Sequence, residues 1–125
     1  MRYRFLIEGE TPAKKNSRRT LRNGKTIPSV RFMQWHNDAS FQVMCQKRPA
    51  KPIERPAAVE MVFYHGDCTR RDSDNAATSI LDLLKDTLVI ADDNWKIIRQ
   101  INIVNRYDRN NARCEITLTD YRGKE

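Results

Sequence analysis

No apolar run in this 125-residue chain approaches the ~20 residues needed to span a bilayer. The first eight residues alternate and carry charge, which is a strand pattern and not a signal peptide. Cysteine is sparse. The three that occur, Cys45, Cys68 and Cys114, are far apart and form no Cys-x-x-Cys pair, which argues against a zinc ribbon. They read as reduced thiols of a cytosolic protein. Internal repeats and low-complexity tracts are absent. Acids are missing where bases gather: 14–25 holds Lys14, Lys15, Arg18, Arg19, Arg22 and Lys25 with no carboxylate.

What is present is a surplus of positive charge. Lysine and arginine number 23 against 16 acids, a formal charge of +7. Such a balance favours a polyanionic partner, nucleic acid first and a membrane surface second. The length fits one domain, 1–125, able to bury its own core. The segment 10–28 is poor in apolar residues, contains two prolines and carries the Asn23-Gly24 turn signal. Its six basic residues make it a candidate DNA-backbone clamp, or else a solvated loop that is mobile without DNA. A second basic group follows at Lys47, Arg48, Lys51 and Arg55.

Periodicity outlines the elements. Tyr3, Phe5 and Ile7 share one face of a half-buried strand over 2–8. Ser29 caps a helix over 30–46 with Phe32, Trp35, Ala39 and Val43 inward, ended by Pro49 and Pro52. Trp35 then belongs to the core and His36 to the surface. A strand over 57–64 is apolar on both faces, which suggests a central position. His65 sits near its end and reads as an ordinary residue, not a metal ligand. Asp74 or Asn75 caps a helix over 76–85, with Ala76, Ala77, Ile80, Leu83, Leu84 and Leu88 as its apolar stripe. The β-like runs 95–104 and 113–119 read as an antiparallel pair, and 121–125 as a frayed tail. The sum is an α+β fold, a mixed or antiparallel sheet with two main helices.

Against this basic background stand two acidic clusters, Asp72/Asp74 and Asp92/Asp93, bracketing the second helix. In an extended segment Asp72 and Asp74 point to one side. A helix and strand returning the chain let both clusters meet at one end of a sheet. Converging carboxylates repel unless a cation joins them. Magnesium takes oxygen ligands and keeps several waters, so two or three aspartates suit it. One or two such ions activate water and stabilise the leaving oxygen in phosphodiester hydrolysis. The nearby bases, with Arg70 and Arg71, would hold the backbone. The same acids also read more plainly, as a helix cap with first-turn charge and as a turn between strands.

Arg71-Asp72-Ser73-Asp74-Asn75, then Ile80-Leu81-Asp82-Leu83-Leu84, then Asp92-Asp93 resembles the RusA family of Holliday junction resolvases. Pro12 followed by Lys14-Lys15-Asn16 is similar to that family's opening loop. The resemblance implies an α+β homodimer that cuts four-way DNA junctions with magnesium, or manganese in its place. It implies a cytoplasmic bacterial protein, of phage or prophage type, acting in recombination and repair. Asp72, Asp74 and Asp93 are the implied catalytic metal ligands, with Asp92 secondary. One position departs: Thr78 stands where the family has a lysine four residues after the second aspartate. That substitution opens a second reading, a protein that binds junctions with weak or no cleavage. A third is a nuclease for forks or flaps.

Overall fold

A computed structural model describes residues 1–13 and 18–123, leaving aside the Arg18 side chain. In chain order come β1 (Arg2–Glu8), β2 (Arg18–Thr20), β3 (Thr26–Pro28), α1 (Val30–Met44), β4 (Ala57–His65), α2 (Ser73–Asp86), β5 (Ile98–Tyr107) and β6 (Arg113–Asp120). The main sheet has the order β1-β6-β4-β5, and β2 and β3 form a separate hairpin. The sheet is mixed: β4 pairs with β6 antiparallel and with β5 parallel. This is the expected α+β architecture. No helix among the described residues is long and apolar enough to cross a membrane.

Alternation in the strands sets the core. Phe5 and Ile7 of β1, Val59, Met61 and Phe63 of β4, and Cys114, Ile116 and Leu118 of β6 are all buried on one face. Ala39 and Val43 of α1 and Ile80, Leu83 and Leu84 of α2 close over them. Burial of the Cys114 thiol pushes its pKa up, as expected for an inert core cysteine. Ser29 caps α1 by accepting the Phe32 N–H at 3.1 Å, as the sequence suggested. Gln46 adds a tether, its side chain bonding both the N–H and the carbonyl of Leu6, so α1 is pinned to edge strand β1.

Several expectations need correction. β5 and β6 are not paired, because the turn after β5 steps across the end of β4. There the Asp108 N–H donates to the His65 carbonyl at 2.9 Å, and β6 enters on the far side of β4. β5 itself starts three residues later than expected, since Ile97 and Ile98 close a turn onto the Asn94 carbonyl. Trp35 is half-buried against the core and not within it. His36 is half-buried, with Nε2 2.9 Å from Asp86 of α2. The 121–125 tail begins anchored: the Tyr121 N–H donates to Pro56, and Arg99 lies over its ring.

Candidate nuclease site

α2 connects the C-terminal end of β4 to the start of β5, so it runs opposite to both strands. Asp72, in extended backbone, is its N-cap, and Asp74 lies in its first turn. The helix thus begins three residues before its expected start, and Asp72 takes the capping position in place of Asp74 or Asn75. Its side chain accepts no capping hydrogen bond. The extended spacing that would align Asp72 with Asp74 does not hold, because the chain is already helical at Ser73.

Asp92 and Asp93 sit at the other end of α2. Lys85, in its last turn, reaches Asp92 at 3.4 Å. Fourteen helical residues span roughly 21 Å at ~1.5 Å each. The two acidic clusters therefore lie at opposite ends of the helix, and within one chain they do not meet. The helix carries the chain away from Asp72, and Asp92 and Asp93 come before the strand that brings it back. A hard cation needs several converging oxygens. Among the described residues of one chain, no three acids, histidines or cysteines form such a set.

The Asp92 carboxylate is engaged in its own turn. It accepts the Asn94 side-chain amide at 2.9 Å and the Asp93 N–H at 2.8 Å. These donors, led by Asn94 and supplemented by Lys85, hold its pKa down to about 2. The same contact raises the pKa of Lys85, with Asp93 adding to it. Asp93 is exposed beside them.

At the Asp72 end a cleft of about 450 Å³ opens, walled by Asp72, Asn75, Arg70 and Arg31. A polar network shapes its rim. Glu10 lies 2.8 Å from His65 Nδ1 and 3.2 Å from an Arg71 nitrogen. His65 Nε2 is 2.8 Å from Asn105 Oδ1, and the Asn105 amide donates to the Ser73 hydroxyl at 3.0 Å. Both ring nitrogens of His65 are thus used in structure. Arg71 also pairs with Asp67 at 2.8 Å. Asp67 is held down to about 2, first by the Thr69 N–H and hydroxyl and then by Arg71.

Of the expected DNA contacts, Arg19, Arg22 and Lys25 are exposed on the β2–β3 hairpin, whose tip has Gly24 at a φ of 83°. Arg70 is exposed at the cleft, whereas Arg71 is held by Glu10 and Asp67. The Arg18 backbone pairs opposite Pro28; Lys14 and Lys15 lie outside the described residues. Sequence reasoning missed Glu10, Asn105, Ser79 and Arg31. The one signal for Glu10 was its place as the last acid before the basic stretch.

The model of the family described as Endodeoxyribonuclease RusA matches residues 8–119, nearly the whole chain. A comparison with curated proteins gave no match. The matched span takes in both acidic clusters, the hairpin, β4, β5 and β6 up to its last residue, and of β1 only Glu8.

Proposed function

As the chain belongs to the RusA endodeoxyribonuclease family, we propose that it is a metal-dependent nuclease that resolves four-way DNA junctions by paired symmetric nicks. The observation that carries this reading is the cleft at the head of α2, where Asp72 faces the solvent among arginines in a chain of net charge +7. Carboxylates set among cations suit a cation-assisted reaction on a phosphate.

The working form is a homodimer. One chain keeps its acidic clusters a helix length apart, so a set of three carboxylates requires two chains. In a two-fold pair, Asp72 and Asp74 of one protomer and the partner's Asp93 would hold magnesium, with manganese in its place. The symmetry then yields two equivalent sites for two strands. Asp92 serves the turn that presents Asp93. When bound, the ion supplies the charge that activates water and stabilises the leaving oxygen. Val30, Met33, Phe41 and Met44 leave an exposed apolar stripe on α1 of the kind a second copy would cover. The exposed cations of the hairpin contact phosphates flanking the cut.

A second reading, binding without cleavage, is favoured by Thr78. Its hydroxyl donates to the Asp74 carbonyl at 3.1 Å, within its own helix, and contributes no charge to the site. Cleavage of an end-labelled four-way junction with magnesium, with manganese and with EDTA separates the two. Symmetric metal-dependent nicks, lost in Asp74→Asn with binding retained, support the resolvase. Tight binding without nicks supports the second reading, and a strong preference for forks or flaps would redirect the substrate assignment.

A further inference from the structure

Arg31 is the second residue after the Ser29 cap of α1. A cation there opposes the helix dipole, and the first turn of α1 holds no acid to offset it. Its position is thus unfavourable for the helix that carries it. The residue forms part of the wall of the same cleft as Asp72, Asn75 and Ala76, although it comes from a different helix.

Of the other cations near Asp72, Arg70 is exposed at the cleft mouth and Arg71 is not free. Arg71 is engaged by Glu10 and Asp67. Thr78 brings no charge. Among the described residues, no carboxylate lies within ion-pair distance of Arg31 or Arg70. The lining also holds a hydroxyl without a partner. Thr11 is only 5% exposed, lines the cleft, and its hydroxyl has no hydrogen-bond partner among the described residues. The cleft therefore combines unneutralised guanidinium groups, an unmatched buried hydroxyl and the N-terminus of α2. These features fit a phosphodiester oxyanion, which accepts hydrogen bonds on several oxygens.

We propose that Arg31 contacts the phosphate that is cut, supplying from α1 the positive charge that Thr78 does not supply from α2. This rests on the nuclease reading of the cleft. In the hydrolysis one water oxygen bonds to phosphorus as one P–O ester bond breaks. The leaving oxygen gains a proton, and the attacking water loses one. Negative charge grows on the leaving and non-bridging oxygens, and the guanidinium holds the latter through two parallel N–H donors.

The test uses the full chain with a four-way junction and magnesium, under single-turnover conditions. Arg31→Gln is expected to lower the cleavage rate by about 10²-fold while junction affinity changes less than about threefold. Arg31→Lys is expected to recover part of the rate. Melting temperature of Arg31→Gln stays equal or rises, because the charge opposing the α1 dipole is gone. A parallel readout needs no cleavage: the Arg31 Nε–Hε resonance should shift when metal-free single-stranded DNA is added. If wild type cuts and Arg31→Gln cuts equally well, the proposal fails and the nuclease reading stands. If wild type cuts no branched DNA but the resonance shifts, the nuclease reading fails and the phosphate contact stands. An unmoved resonance overturns the contact.

Discussion

The buried hydroxyl of Ser79, in the middle of α2, donates a 2.7 Å hydrogen bond to the carbonyl of Pro12. Pro12 is the last buried residue before the basic stretch begins. One hydroxyl thus ties the root of that stretch to the helix that carries both acidic clusters at its ends. Ser79→Ala leaves the Pro12 carbonyl buried without this donor, which costs about 1–3 kcal/mol. Urea denaturation should show the loss as a lower midpoint with an unchanged slope. Junction cleavage should fall as well, because Thr11 lies next to Pro12 and lines the cleft.

The separation of the clusters predicts complementation. Asp74→Asn and Asp93→Asn are each expected to be inactive alone. Mixing and refolding them together should restore cleavage, because a heterodimer rebuilds one intact site from Asp72 and Asp74 of one chain and Asp93 of the other. If the mixture stays inactive while size-exclusion chromatography shows exchanged dimers, the shared site is wrong.

Leu88, expected on the apolar stripe of α2, instead follows the Thr87 cap of that helix in the left-handed region, at a φ of 62°, and is 65% exposed. Glycine takes this conformation without the Cβ clash that leucine suffers. Leu88→Gly should therefore stabilise the protein by up to about 1 kcal/mol, since little burial is lost. A drop in melting temperature would show that Leu88 is covered in the assembled protein.

Asp67 and Asp92 both have folded pKa values lowered from 3.8 to about 2. Depressed carboxylates stabilise the fold fully above their unfolded value, and the stabilisation disappears as pH falls through the folded value. Melting temperature should therefore hold near neutrality and decline between about pH 4 and pH 2. Asp92→Asn should flatten part of that decline. An unchanged acid limb in both Asp67→Asn and Asp92→Asn would show that other groups control it.

The hairpin cations should report themselves through salt. Replacing Arg19, Arg22 or Lys25 by alanine is expected to weaken junction binding and to reduce the slope of log K against log salt by about 0.9 for each phosphate no longer neutralised. Melting temperature should barely move, since all three side chains are exposed. A slope equal to wild type would remove that residue from the DNA-binding surface.

Local patterns were enough to define the elements and the chemistry they carry. Alternation in β1, β4 and β6, the Ser29 cap and the apolar stripe of α2 as far as Leu84 each follow from the geometry of a single strand or helix. The pairing of acids with an excess of bases was equally visible, because charge needs no coordinates. Packing between elements settled what lies next to what. It set β6 between β1 and β4, because the turn over the end of β4 bonds to the His65 carbonyl. It turned Arg71 toward Glu10 and Asp67, and it brought Arg31 from another helix to the wall beside Asp72. The separation of the two acidic clusters, by contrast, came from α2 alone, since a helix is rigid and its length fixes the distance between its ends. Proximity across the chain arises only when elements dock, and no local pattern encodes it.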